Sequence, residues 1–173
     1  MEIFLEIIKI TIPGLIVFVT AYFILKTTLK KELENRRVEV VLQNQKLITP
    51  IRLQAYERIV LFLERISPNN VIMRLTTPNM TVSQLHKEML ITIRTEFEHN
   101  LSQQIYLSID AWEQVKIAKE KTIQLLNFCV SELDPNDDAF KYSQLVFEKL
   151  IENPKSPLQE AIDYLKEEIK ILY

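Results

Sequence analysis

Glu96 and His99, in "EFEH", come nearest of any residues in the chain to a metal-ligand pattern. Three apart on a helix, they share a face, and Glu-x-x-His is the unit with which di-iron helix bundles hold their metals. Such a centre needs the unit twice, together with a glutamate from each of two further helices. The chain has one other histidine, His86, and its neighbour Glu88 is two positions away on a different face. Glu96 and His99 thus define one alternative, a metal-binding helical-bundle enzyme. The simpler expectation is a solvent-facing charged strip beside Phe97. Neither H-E-x-x-H nor C-x-x-C occurs, so the usual zinc spacings are missing. Cys129 is the only cysteine and sits in "LLNFCVSEL". It reads as a small buried hydrophobe, with no second thiol for an intramolecular disulfide and no nearby histidine to activate it. The acid pairs Glu167-Glu168 and Asp137-Asp138 read as solubilising or helix-start charges. No catalytic residue and no cofactor is expected from these patterns.

Glycine scarcity removes further classes. Gly14 is the only glycine among 173 residues. Phosphate-cradling loops need glycine so that the backbone can approach the phosphate and take positive φ. Walker-type loops, dinucleotide fingerprints and the G-x-S-x-G elbow are all excluded. Tight primed hairpin turns also favour glycine, which argues against an all-β fold.

The elements that would position any site begin with an apolar stretch. From Ile3 to Leu25, 23 residues are interrupted only by Glu6 and Lys9, and Ile10 to Leu25 carries no charge. As a helix this is about 34 Å long at 1.5 Å per residue, enough for a hydrocarbon core of about 30 Å. Pro13 and Gly14 would weaken a soluble helix but are tolerated in spans. Ile10, Leu15, Ile16, Val17, Phe18, Val19, Tyr22 and Phe23 are the expected membrane-anchor residues, with Tyr22 near the inner interface. The acidic start and the lack of a small-residue cleavage site disfavour a signal peptide. Lys26, Lys30, Lys31, Arg36 and Arg37 follow the run, against Lys9 alone within it. That bias places the C-terminal side in the cytoplasm, the N-terminus outside, and these five cations at the lipid headgroups of an inner (cytoplasmic) membrane. Lys26 to Arg65 contains nine Lys and Arg against five Asp and Glu; Ile66 to Tyr173 contains eleven against sixteen. The basic part is thus next to the membrane and the acidic part distal. No basic stripe with interleaved aromatics suggests nucleic acid.

Every later segment reads as helix. Leu33, Val40 and Leu47 recur every seven residues, but Arg36, Arg37, Gln43 and Asn44 occupy the alternate seam, so a stalk continuous with the span is preferred to a dimer zipper. Pro50 is expected to kink or restart the helix. In "LQAYERIVLFLERI" so many positions are apolar that burial on most sides is expected, with Glu57, Arg58, Glu64 and Arg65 on the remaining face. Residues 67–80, with two prolines and three asparagines, read as the longest irregular connection. Thr81 opens a helix with Gln84 completing a capping box and Met80 and Leu85 a staple. Val82, Leu85, Met89, Ile93, Phe97 and Leu101 form its stripe. Ser108 caps the next helix, with Leu107 and Trp112 as a second staple. Asp134-Pro135 is expected to begin another, with proline at its first position. Ser156-Pro157 with Gln159 begins the last, whose apolar face is Ala161, Ile162, Leu165, Ile169 and Leu172.

Three stretches carry a resemblance: "RLQAYERIVLFLERISP" (52–68), "IRTEFEHNLSQQIYLS" (93–108) and "AWEQVKIAKE" (111–120). Together they resemble an uncharacterised bacterial family of short proteins with one N-terminal transmembrane helix and a helical cytoplasmic domain. That resemblance implies a plan and no activity, ligand or site residue. In size and single span the chain is also similar to the membrane-anchored b subunit of rotary ATP synthases, whose body is a long unbroken helix. Pro50, Pro68, Pro78, Pro135, Pro154 and Pro157 depart from that pattern and describe a compact bundle.

The expectation is an all-α, single-pass membrane protein: an anchor over 1–25, a juxtamembrane stalk helix over 26–50 and a cytoplasmic domain over 51–173 of about five helices. Its expected role is a non-enzymatic interaction or scaffold module. Its partners would be membrane lipid and another protein, met through the acidic distal half or the 67–80 segment. A structural homo-oligomer joined through the stalk is the remaining alternative.

Overall fold

A computed structural model describes the backbone of residues 2–152 and 155–172 and the side chains of residues 14–152 and 155–171. The described residues form six α-helices and one short 3-10 turn, with no strand among them. Helix α1 spans Glu2–Arg65, α2 Pro68–Leu75, α3 Val82–Asn100, α4 Ile109–Ser131, α5 Ala139–Glu152 and α6 Pro157–Leu172; the 3-10 turn is Leu101–Ile105. Contacts divide the chain into two units, Met1–Thr49 and Pro50–Tyr173.

The first unit is helical, and its side chains from Gly14 to Leu47 are exposed. The helix does not restart at Pro50: α1 runs through it to Arg65. A proline removes one backbone donor and crowds the carbonyl four residues earlier, and the bonds on either side carry the helix through.

In the second unit, the end of α1 supplies one face of the core. Ala55, Tyr56, Ile59, Phe62, Leu63 and Ile66 are buried, at the three- and four-residue spacing of one helical face. Leu53 and Leu61 are exposed, so this segment is buried on one side and not on most sides. Glu57, Arg58, Glu64 and Arg65 lie on the outer face.

The largest departure from the expected layout is α2. Residues 68–75 are helical, not irregular, with Pro68 in the first turn where its missing donor costs nothing. Eight residues cannot hold a helix alone. Burial of Val71 and Ile72 stabilises it, and its polar side chains close the end of α1. Asn70 Nδ2 donates to the Glu64 carbonyl at 2.7 Å, and Arg74 donates to the Arg65 carbonyl at 3.0 Å. These last-turn carbonyls would otherwise lack partners, and a guanidinium at a helix C-terminus also meets the negative end of its dipole. Pro78 and Asn79 then turn the chain, with Asn79 at φ 63°. A chain without glycine here uses asparagine, whose short polar side chain tolerates the left-handed region.

Thr81 caps α3 as expected: its hydroxyl accepts from the Gln84 amide, and the Gln84 side chain accepts from the Thr81 amide at 3.0 Å. Val82, Leu85, Met89 and Ile93 are buried, Phe97 is half-buried and Leu101 exposed. Ser108 caps α4 by accepting from the Ala111 amide at 3.0 Å.

Asp134-Pro135 does not start a helix; α5 begins at Ala139. The intervening loop is used to finish α3. The Asp137 carbonyl accepts from the Val82 amide at 2.9 Å, the Pro135 carbonyl from Ser83 at 3.1 Å, and the Met80 carbonyl from Ala139 at 2.9 Å. Two first-turn donors of α3 are thereby satisfied by a segment more than fifty residues away, which holds 134–138 out of helical conformation. The Asp138 carboxylate accepts from the Phe140 amide at 2.7 Å and so starts α5.

Ser156 opens α6, its hydroxyl accepting from the Leu158 amide at 3.3 Å. Gln159 does not complete a capping box; its side chain donates forward to Asp163 at 2.8 Å. Ala161, Ile162 and Leu165 are buried and α6 packs chiefly on α4. Leu172 lies outside the described side chains.

Candidate functional site

Three groups of residues bear on function: the apolar and basic part of α1, the surroundings of Glu96, and the buried titratable groups.

On α1, Leu15, Ile16, Val17, Phe18, Val19, Tyr22 and Phe23 are all exposed, Phe18 at 71%. Ile10 lies outside the described side chains, as does the rest of the apolar run before Gly14. Among the described residues no helix is long and apolar enough to cross a membrane. Only twelve apolar or uncharged positions, Gly14 to Leu25, precede Lys26 within that range. Two threonine hydroxyls in and beside this stretch bond back to the helix. The Thr20 hydroxyl donates to the Ile16 carbonyl at 2.6 Å and the Thr27 hydroxyl to the Phe23 carbonyl at 2.7 Å. Lys26 Nζ lies 5.8 Å from the centre of the Tyr22 ring, a cation–π arrangement. Lys26, Lys30, Lys31, Arg36 and Arg37 are exposed along the following turns, with Arg36 3.8 Å from Glu32. So open a pair contributes little.

Glu96 and His99 are not brought into a ligand set. The Glu96 side chain is 14% exposed and turned to arginines: Arg65 Nε is 3.3 Å and Arg74 3.8 Å from the same oxygen, Oε1. His99 is exposed. Glu96 is therefore not part of a solvent-facing strip; it ties α3 to the α1–α2 corner. Among the described residues no three His, Cys, Asp or Glu side chains are grouped to hold a metal ion. Beside Glu96, the Phe97 ring stacks on Trp112 at 5.5 Å, tilts against Phe62 at 5.9 Å, and lies under Lys119 Nζ at 4.1 Å. The other histidine, His86, meets Asn127 Oδ1 at 2.9 Å and the edge of Tyr142.

The buried titratable groups are structural. Cys129 is fully buried and burial pushes its thiol pKa up, which keeps it protonated and unreactive. Tyr56 is fully buried; burial first, then the Glu168 carboxylate, raise its pKa, against Arg52. Among the described residues neither the Tyr56 hydroxyl nor Glu168 Oε2 has a hydrogen-bond partner within 3.5 Å, and Arg52 Nε donates to the Tyr106 carbonyl at 3.1 Å. The Tyr142 hydroxyl donates to the Leu126 carbonyl at 3.1 Å, and burial raises its pKa strongly.

That shift has a measurable consequence. A phenol whose pKa is higher in the folded than in the unfolded state contributes full stability below the unfolded value, about 10, and loses it as pH rises. Unfolding free energy should fall above pH 10, by up to about 1.4 kcal/mol per pH unit for each such tyrosine. Tyr142→Phe should lose about 1 kcal/mol at neutral pH, with its hydrogen bond, and show a shallower alkaline decline. Denaturant melts between pH 8 and 11 would show this, and equal slopes for the two proteins would refute it.

No sequence signal marked the Glu96–Arg65–Arg74 cluster. The partners come from three helices, and nothing local in "LERISP" or "IMRL" identifies a common target. No curated protein and no solved structure matches the chain. The model of a family of unknown function, DUF7935, matches residues 2–172, and the chain belongs to that family.

Proposed function

We propose that this protein is a membrane-tethered, non-enzymatic interaction module. Its N-terminal apolar segment, Ile3 to Leu25, spans the inner membrane once, and Pro50–Tyr173 works on the cytoplasmic side. One observation carries this reading: an uncharged run from Ile10 to Leu25 is followed at once by Lys26, Lys30, Lys31, Arg36 and Arg37. The described part of the run agrees with a lipid setting. Its large apolar side chains are exposed, and the Thr20 hydroxyl is satisfied within the helix, as a non-aqueous environment requires. The five cations would lie among anionic headgroups, each worth about 1 kcal/mol when close to the surface.

Tethering confines the helical unit to the membrane surface. Weak contacts with another membrane protein then gain effective concentration without new binding energy. The 66–173 part carries the excess of acid over base, so a partner with a basic face is favoured.

The test uses the full chain in a bacterial host. Carbonate washing should leave it in the membrane fraction, and a reporter fused after Tyr173 should be active only in the cytoplasm. Release by carbonate, or a reporter active only outside, would overturn the reading.

A second reading has its own observation. Leu33, Val40 and Leu47, seven apart, are all more than half exposed on the first unit. A second copy would cover them, making the protein a structural homo-oligomer joined through the stalk. Light scattering of the full chain in detergent distinguishes the two, since the oligomer requires at least a dimer.

A further inference from the structure

A cavity of about 240 Å³ opens in the second unit where α4, α5 and the start of α6 meet. Its wall is apolar, with Leu125, Leu150 and Leu158, and three cations stand around it: Lys121, Lys149 and Lys155. Such a composition is unusual for this part of the molecule, which carries sixteen acids against eleven bases from Ile66 onward.

The three lysines differ in their partners. Lys149 Nζ is 2.9 Å from Glu152, so its charge is compensated. Lys121 and Lys155 have no carboxylate within 4.0 Å among the described residues. Lys155 also borders a second depression with Glu160 and Asp163, and Lys121 one with Glu113 and Glu120. Asp163 is engaged by Gln159 and Lys166, Glu113 by Lys116 and Glu120 by Lys119, and Glu160 has no ammonium group within 4.0 Å among the described residues. The Thr122 hydroxyl is committed to the Ala118 carbonyl at 2.9 Å and Ser156 Oγ to the Leu158 amide. The donors left to meet a ligand are thus the ammonium groups and the Ser156 hydroxyl proton, since Ser156 Oγ only accepts in its bond to Leu158. Lysine stems can lie along an apolar wall while their charged ends converge at its rim. Like charges lining one cavity favour an anion within it, and an apolar wall favours a tail attached to it. The first turn of α6, which begins here at Pro157, adds the positive end of its dipole to that field.

We propose that this cavity binds a small amphiphilic anion, with a carboxylate or phosphate head held by Lys121 and Lys155 and a short apolar tail against Leu125, Leu150 and Leu158. At about 30 Å³ per water- or methylene-sized group, the space holds roughly eight such groups. That corresponds to a head and a tail of roughly six carbons. This site is independent of the membrane anchor and stands whether or not the tethering proposal holds.

The test is calorimetric titration of the full chain in nonionic detergent with four probes: hexanoate, hexyl phosphate, inorganic phosphate and 1-hexanol. At least one hexyl anion should bind saturably, about tenfold or more tighter than hexanol or inorganic phosphate. The anion preferred separates a free acyl acid from a phosphate ester. In the double variant Lys121→Glu and Lys155→Glu that affinity should fall by about tenfold or more. Both positions are exposed, so the variant should fold, and circular dichroism checks that it does. Each of three results would overturn the proposal: neither hexyl anion saturates, a control binds as tightly as they do, or the folded double variant binds as well as the parent.

Discussion

Phe62→Ala is expected to destabilise the Pro50–Tyr173 unit by about 3–5 kcal/mol, in the range found for emptying a buried phenylalanine site. Phe62 is 1% exposed and its ring meets Phe97 at 5.9 Å. Behind Phe97 stand Trp112 and the Lys119 ammonium, so the void would open inside a stack whose members come from α1, α3 and α4. Those helices cannot all close in on it without losing their own contacts, which places the cost at the upper part of the range. A small domain has about 5–15 kcal/mol of stability in all. The variant should therefore melt at a markedly lower denaturant concentration, read by the fluorescence of Trp112, the only tryptophan. Leu61→Ala is the control, since Leu61 is 53% exposed on the same turn of α1; it should cost well under 1 kcal/mol. Equal effects at the two positions would refute the packing described here.

Leu15→Arg is expected to shift the full chain from the carbonate-resistant membrane fraction into the wash. Leu15 is 65% exposed and stands one residue past the middle of the proposed Ile3–Leu25 span. An arginine near the centre of a transmembrane helix costs about 2.5–3.5 kcal/mol on insertion scales, on top of the few tenths lost with leucine. This is a change of more than about a hundredfold in the partition between inserted and free forms. Leu15→Phe, which keeps the position apolar, should remain membrane-bound. Retention of both variants after carbonate treatment would argue against a span, and the helix would then need a protein partner to cover its apolar residues.

Local chemistry reached far in this chain. The Thr81-Gln84 capping box and the Ser108 cap are satisfied by atoms within three residues, and such interactions are encoded wherever the residues stand in sequence. The stripe Val82, Leu85, Met89, Ile93 repeats at helical period and is buried, because any amphipathic helix must hide that face. The scarcity of glycine and the all-α character were readable for the same reason.

What failed to show locally was settled by atoms distant along the chain. Residues 68–75 carry two asparagines and a proline, weak helix formers, yet burial of Val71 and Ile72 and the capping of α1 by Asn70 and Arg74 make them helical. Asp134-Pro135 has the sequence of a helix start, but the Pro135 carbonyl, with that of Asp137, is taken by the first turn of α3. Glu96 and His99 have the spacing of metal ligands, and the tertiary structure gives Glu96 to Arg65 and Arg74. The sequence by itself determined caps, helical faces, charge distribution and the apolar N-terminal run, since each depends on residues within a few positions of one another. Which donors meet which acceptors across helices was decided only when packing brought α1, α2, α3 and the 134–138 loop together.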